Sequence, residues 1–404
     1  MKAAIIGMGK QGAAARRILE SRGITDFTIF DDKAEGAQPL ANFTDSFDIA
    51  VISPGIHPWL IPNFVIPGER EAQGKGTNKF TSDVELGLAA LPDGAKIVAI
   101  TGTDGKSTVT ALTAAILNAA GHKAIACGNF GLPLCDAILN NCQLSTVNCQ
   151  LIFVLEISSY MIDLLSPGPY FDAGCILNIS PDHLDRYKVF EKYVASKERL
   201  REMVKPGAPF FDQTNVPQKN YPDFPLPGKH NASNLNFAIA LANAVAELPA
   251  DLTEIVKNLT ALEHRLELVP TTDGIKWYND SKATTTQAVE TALSVFDDVI
   301  LLMGGRDKGL DFAGLAPKIN AGCAALILFG EARQKIHDQL SPLVTKPIIM
   351  AETLRQAVDN SKFYILNSKL ERASVLLSPG CASFDEFNSF EHRGKEFKKY
   401  VQGG

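Results

Sequence analysis

The sequence is short of the features that define several large protein classes. Its seven cysteines, Cys127, Cys135, Cys142, Cys149, Cys175, Cys323 and Cys381, nowhere form a C-x-x-C pair. A zinc knuckle or a thioredoxin-type redox pair is therefore not expected, and an odd number of scattered cysteines fits a reducing compartment. An excess of positive charge is also missing: 39 Lys and Arg stand against 45 Asp and Glu, a net of −6. That excludes a global field for nucleic acid and leaves room for a local phosphate pocket. No apolar run approaches the roughly 20 residues that cross a bilayer, so no membrane insertion is expected. The opening stretch MKAAIIGMGKQG reads as a strand and a glycine turn rather than a secretory leader. The expected location is cytoplasmic, and the expected partners are small molecules. Internal repeats, heptads and low-complexity tails are absent too.

What the 404 residues do contain is an alternation of short apolar runs with helix-like segments. This is the grammar of an α/β protein with mostly parallel sheets. Strands are predicted at 2–6, 27–30, 49–52, 96–101, 151–156, 173–178, 299–303, 325–329 and 374–377. Helices are predicted at about 10–22, 106–120, 234–246, 332–340 and 354–360. The stretch 206–229, rich in Pro, Asn and Asp, reads as loop with short strands. A Pro-Asp-Gly turn at 92–94 marks one boundary, and a second falls near Leu262. Three domains follow: 1–92, Rossmann-like; 93–262, a mostly parallel sheet; and 263–404, again Rossmann-like.

Two glycine turns carry chemistry. Gly7, Gly9 and Gly12 form G-x-G-x-x-G between a strand and a helix, and Asp31 and Asp32 end the second strand. Pattern alone suggests a dinucleotide site, with diphosphate at the helix N-terminus and a carboxylate on ribose. NAD or FAD, another diphosphate nucleotide such as a UDP-sugar, and a turn with no ligand all remain open. The second turn, TGTDGKST from Thr101 to Thr108, follows an apolar strand and opens a helix. Phosphate oxygens need backbone N–H donors, a cation and a hydroxyl for Mg²⁺. Gly102, Thr103, Asp104 and Gly105 form the turn, Lys106 is the cation, and Ser107 or Thr108 offers the hydroxyl. The spacing is two residues shorter than the general P-loop, which argues against a GTPase or an ordinary P-loop kinase. Glu156, at the carboxyl end of another buried strand, is placed to hold Mg²⁺. His183, in the run NISPDHLDRY, is a loop histidine with structural and ligand readings both open. Lys197, by composition, is a solvated helix residue.

In this order these segments resemble the Mur ligases, ATP-dependent enzymes of peptidoglycan-precursor synthesis, over essentially the whole chain. The resemblance implies that Lys106 neutralises ATP phosphates. It implies that Lys197 is carbamylated by CO₂ and that Ser107, Glu156, His183 and Lys197 hold two Mg²⁺ ions, with Lys106, His183 and Lys197 as the catalytic set. Asn231 and Asn234 then lie on the adenine side, while Arg265 and Asp280 contact phosphate and ribose. The first turn takes the UDP portion of the substrate rather than NAD. Gly9, Lys10, Gln11, Asp31, Asp32 and Gly55 are its expected contacts, with Asn129 at the muramoyl end. In the third block, LSPGCASFDEF from Leu377 and FEHRG from Phe390 resemble members that add D-glutamate. Thr284, Lys308, Ser383, Phe384 and Phe390 are then acceptor residues, and a dicarboxylate acceptor needs such a cation and several donors. A monomer is expected.

The chain departs from the family pattern in places. Tyr160-Met161 stands where relatives commonly carry Phe-Gln, and Met161 lacks the amide of Gln. Asp104 replaces the usual Asn, and Lys10-Gln11 replaces an apolar-Thr pair. The competing classes are an NAD-dependent oxidoreductase, which leaves the second turn and Lys197 unexplained, and a non-enzymatic nucleotide-binding regulator.

Overall fold

The computed structural model describes residues 1–44, 46–57, 60–61, 80–141, 150–226, 228–260, 262–271, 274–368 and 374–403. The chain divides into two compact units, Met1–Phe224 with Lys229–Leu259, and Pro225–Gly228 with Thr260–Gly404. The cysteines Cys142 and Cys149 lie outside the described residues.

The first unit holds two sheets. One contains β1 (Lys2–Ile6), β2 (Asp26–Phe30), β3 (Ile49–Ile52) and β4 (Phe80–Thr81) in the order β2-β1-β3-β4, all parallel. The other contains β5 (Lys96–Thr101), β6 (Lys123–Gly128), β7 (Leu151–Glu156), β8 (Ala173–Ile176) and β9 (Phe210–Phe211) in the order β6-β7-β5-β8-β9, again all parallel. β7 is buried at every position, the behaviour of a strand covered by helices on both faces. Helix Lys106–Ala119 packs its Val109, Leu112 and Ile116 against the sheet and against helix Lys229–Val245. Each such side chain, once buried, stabilises the fold by about 1.5–3 kcal/mol. The first four-stranded sheet is joined to this body by the bidentate pair Arg17–Asp136.

The second unit is a six-stranded sheet of β10 (Glu267–Val269), β11 (Lys276–Asn279), β12 (Val299–Gly304), β13 (Cys323–Phe329), β14 (Ile348–Met350) and β15 (Ser374–Gly380). Their order is β10-β11-β15-β12-β13-β14, and only the β10–β11 pair is antiparallel. The α/β class with mainly parallel sheets therefore holds.

Several boundaries differ from expectation. β8 ends at Ile176, not at 178, because Asn178 leaves the sheet to bind the phosphate-type loop. The helix expected from 234 begins at Lys229 and ends at Val245, and the helix expected to end at 360 continues to Asn367. β6, β10, β11 and β14 have no clear apolar pattern and were not expected.

In both sheets of the first unit the glycine turn follows a central strand. β1 lies between β2 and β3, and β5 between β7 and β8. The loops leaving a strand and its neighbour there run in opposite directions, which opens a crevice at the carboxyl end of the sheet.

Candidate active site

The three glycines of the first turn divide their work. Gly7 sits at φ 88°, and a Cβ there would lie 2.6 Å from Ile56. A Cβ on Gly12 would lie 2.0 Å from the Gly7 carbonyl oxygen. These two allow strand and helix to approach. Gly9 has nothing within 4 Å of a built Cβ, so it is the glycine left open toward a ligand. Asp31 accepts hydrogen bonds from the Met8 and Lys33 amides, both at 2.8 Å. The Met8 amide is the main reason its carboxyl is held below the usual range. Asp32 accepts from the Leu40 amide at 2.9 Å. Both carboxylates expected to face the nucleoside thus also fasten the loop. Lys10 and Gly55 are exposed, and Gln11 is half-buried.

The second turn is a worked-out cradle. Gly102 and Gly105 have φ of 152° and 81°, conformations that glycine adopts at least cost. Asn178 pins the turn with three hydrogen bonds. Its carbonyl accepts from the Thr103 amide at 2.8 Å, and its side chain exchanges two bonds with the Asp104 backbone at 2.9 and 3.1 Å. Thr103 is held further by the Ser180 backbone and lies 3.2 Å from the Tyr193 hydroxyl. Lys106 Nζ donates to the Gly102 and Thr103 carbonyls at 2.9 and 2.7 Å. On the other side, Asn234 Oδ1 would lie 2.6 Å from a Cβ on Gly105, and Asn234 Nδ2 reaches Asn231 Oδ1 at 3.4 Å. Ser107 is buried at the start of the helix, and Thr108 is half-buried.

Lys197 is not a solvated residue: it is 1% exposed. Helix Phe190–Glu202 places Tyr193 and Lys197 one turn apart on its buried face. Lys197 Nζ donates to the Gly102 carbonyl at 2.8 Å and approaches Thr101 Oγ1 at 3.4 Å, 4.7 Å above the Tyr193 ring. Burial, and next the charge of Lys106, push its pKa down to about 7. A large share of a lysine in that state is the neutral, nucleophilic amine at neutral pH.

Glu156 is 2% exposed. One carboxylate oxygen accepts from Asn129 Nδ2 at 2.8 Å; the other, Oε2, is buried without a hydrogen-bond partner among the described residues. An unmet carboxylate oxygen is costly, and a cation is the partner its chemistry calls for. Asn129, exposed, also donates its amide to the Glu156 carbonyl at 2.9 Å. His183 sits in the left-handed region at φ 53° with an exposed ring. Its ring lies 4.9 Å from Tyr160 and 5.9 Å from Tyr193, centroid to centroid. Tyr193 thus neighbours both His183 and Lys197. Among the described residues no three His, Cys, Asp or Glu side chains form a metal-ligand group. An ammonium at Lys197 cannot ligate; a carboxylate made there would supply the missing oxygen donor. Met161 is 0% exposed and packs in the core beside β7. Asn178 and Tyr193 were not anticipated. Their signals, an Asn straight after a buried strand and a Tyr four residues before Lys197, were in the sequence but had no meaning without the loop opposite them.

In the second unit Asp280 is buried at the end of β11. It accepts from Ser378 Oγ at 2.9 Å and from the Leu266 amide at 3.3 Å. Burial raises its pKa to about 7, against the charge of Arg265. Thr284 is half-buried and Lys308 exposed on the loops after β11 and β12. Ser383 is buried and Phe384 exposed after β15. Phe390, half-buried, opens helix Phe390–Val401, which Ser389 caps by accepting from the His392 amide at 3.2 Å. Lys282 Nζ lies 5.7 Å from the Phe390 ring centre. These residues hang from neighbouring loops at one edge of one sheet.

Comparison with known proteins matches residues 100–216 to the Mur ligase middle domain and residues 264–378 to the Mur ligase glutamate ligase domain. A UDP-N-acetylmuramoylalanine--D-glutamate ligase of Caldicellulosiruptor bescii is 33% identical, covering 98% of this chain and 96% of its own. The protein of that name from Solibacter usitatus is 32% identical, covering 100% and 98%. Among solved structures, the UDP-N-acetylmuramate-alanine ligase of Thermotoga maritima has a TM-score of 0.56 at 17% identity, covering 98% of both chains. A MurF ligase from the same organism, in complex with ADP, has a TM-score of 0.54 at 14% identity, covering 93% of this chain and 98% of its own.

Proposed function

This chain belongs to the Mur ligase family, and from that premise we propose that it adds D-glutamate to UDP-N-acetylmuramoyl-L-alanine at the expense of ATP. The observation that carries the reading is similarity over the full chain to D-glutamate-adding ligases, on a chain whose loop Thr101–Thr108 is built for phosphate. Residues 1–92 are proposed to bind the UDP portion of the substrate through Gly9, Lys10, Gln11, Asp31, Asp32 and Gly55, with Asn129 of the following domain at the muramoyl end. Residues 93–262 bind ATP, and residues 263–404 bring the acceptor amino acid and Arg265 and Asp280.

The alanyl carboxylate of the substrate attacks the γ-phosphate of ATP, the β–γ bond breaks with ADP as leaving group, and the carboxylate becomes an acyl phosphate. The amine of D-glutamate then attacks the acyl carbon, and the tetrahedral intermediate collapses to amide and inorganic phosphate. Lys106, released from the Gly102 and Thr103 carbonyls, follows the charge on the transferring phosphoryl group. The loop amides and the open helix N-terminus bind the remaining oxygens. The open Glu156 oxygen and buried Ser107 suit Mg²⁺, with His183 and a carbamate on Lys197 completing two ion sites. Magnesium, when bound, supplies charge neutralisation of the phosphates. The low pKa of Lys197 supports carbamylation, since only the neutral amine attacks CO₂. His183 is assigned to orientation or metal ligation. In the acceptor site Lys308 pairs with the side-chain carboxylate, while Thr284, Ser383 and the backbone at Phe384 hold the rest beside Phe390. Among the described residues no helix is long and apolar enough to cross a membrane. The reading includes a cytoplasmic monomer acting on small molecules.

ATP-dependent phosphate release is the test, with UDP-N-acetylmuramoyl-L-alanine, Mg²⁺ and D-glutamate, L-glutamate, L-alanine or diaminopimelate. Release with D-glutamate alone, and a product heavier by one glutamate residue, is expected. Release with another amino acid overturns the acceptor, and release with none overturns the activity.

A further inference from the structure

Arg393, on helix Phe390–Val401, is 0% exposed, yet no carboxylate lies within ion-pair distance of it among the described residues. All its hydrogen bonds go to neutral oxygens. Nε donates to Ser281 Oγ at 3.0 Å, and Nη1 donates to the Ala382 carbonyl at 3.2 Å. Nη2 donates to the carbonyls of Ser281 at 2.8 Å and Cys381 at 3.1 Å. Burial lowers its pKa to about 10, with the charge of Asp385 opposing, so the group is a cation at neutral pH. Desolvating a cation against neutral acceptors is an expensive way to fill a core; apolar side chains of similar volume commonly do as well or better. A planar group with donors in fixed directions does something they cannot: it sets distances between the loops it touches.

Those loops are the ones that carry the proposed acceptor residues. Ser281 is on the loop that leads to Thr284, and its hydroxyl also donates to the Phe390 carbonyl at 2.8 Å. Cys381 and Ala382 lead directly to Ser383 and Phe384. The Ala382 carbonyl accepts from the Arg306 amide as well, at 2.8 Å, which brings in the loop of Lys308. At Gly305, φ is 130° and a Cβ would lie 2.2 Å from the Ala382 carbonyl oxygen and 3.0 Å from Arg393 Nη1. The backbone there has been cleared for this approach.

We infer that Arg393 is a positioning residue that fixes the spacing of the loops after β11, β12 and β15, and thereby the length of dicarboxylate the acceptor site takes. It touches no substrate. This rests on the acceptor reading above.

The test uses the full chain with Arg393→Lys and Arg393→Gln, beside Trp277→Phe as a control that weakens the core of the same sheet without touching these loops. KM for D-glutamate is expected to rise at least tenfold in both Arg393 variants. KM for ATP and for the UDP substrate should stay within twofold, and the preference for D-glutamate over D-aspartate should fall. Trp277→Phe should leave all three KM values and the preference unchanged. An unchanged KM for D-glutamate in Arg393→Lys overturns the inference, as does a rise of all three KM values together. If the wild type takes a different acceptor, the functional reading fails, and the same comparison with that acceptor still decides the role of Arg393. A wild type that takes no acceptor overturns both.

Discussion

Replacing Lys197 with Met should make the protein more stable and inactive. The ammonium is 1% exposed, with its pKa pushed from 10.5 to about 7 by burial and by Lys106. A depressed lysine pKa means that the folded state resists the proton which the unfolded chain accepts. The destabilisation is therefore complete below about pH 7 and is relieved as pH rises from there toward the ordinary lysine value. Between these limits the shift corresponds to roughly 5 kcal/mol, at about 1.4 kcal/mol per pKa unit. Methionine removes the charge and keeps most of the volume. It forfeits the hydrogen bonds to the Gly102 carbonyl and Thr101 Oγ1, together about 1–3 kcal/mol. A net gain of about 2–4 kcal/mol at pH 6.5 follows, or roughly 4–16 °C in the melting temperature of the first unit. Thermal unfolding of both proteins should be followed from pH 6.5 to 9.5 in CO₂-depleted buffer. The advantage of Lys197→Met should shrink as pH rises, because the wild type gains stability over that range. Phosphate release by the variant should be lost at every pH. A variant that melts at or below the wild type at pH 6.5, or a wild-type stability independent of pH between 7 and 9.5, would refute the reasoning.

Three other substitutions test separate links. Lys106→Ala should fold normally by circular dichroism and lose at least about a hundredfold in phosphate release, the scale of removing one preorganised electrostatic donor; near-normal turnover would remove the phosphate-loop assignment. Gly105→Ala places a Cβ at φ 81° and 2.6 Å from Asn234 Oδ1. The left-handed backbone alone costs about 1–2 kcal/mol, so KM for ATP should rise about tenfold or more; adding Asn234→Ala should not restore it fully, since the backbone strain remains. Met161→Gln brings back the residue common in the family, yet in this chain it buries an amide in the core beside β7. A loss of about 1–3 kcal/mol with no fall in KM for the UDP substrate is expected; a lower KM at undiminished stability would show that position 161 meets the sugar.

The α/β class was legible in the sequence, because apolar runs such as 151–156 and 96–101 alternate with helix-like segments, as strands of a sheet covered on both faces do. The sequence also determined the phosphate loop, because Gly102, Gly105 and Lys106 have meaning as a local string: glycine for the turn, a cation one residue on, a helix after it. Glu156 at a strand end was legible for the same reason. Other features required the tertiary structure. Lys197 has the composition of a surface residue, and only the packing of helix Phe190–Glu202 beside β8, with its Nζ on Thr101 and Gly102, buries it and lowers its pKa. Asn178 is one polar residue after a strand until it meets the Thr103 and Asp104 backbone across the sheet. Asp31 reads only as a nucleoside contact until its oxygens are found also holding the Met8 and Lys33 amides. Met161 reads as an altered binding residue until its burial makes it core. Arg393 is one letter of the FEHRG segment in the sequence, and becomes the tie between three loops only when β11, β12 and β15 are laid side by side. Local strings encode turns and strand ends; desolvation and long-range hydrogen bonds depend on what the rest of the chain brings within about 3 Å.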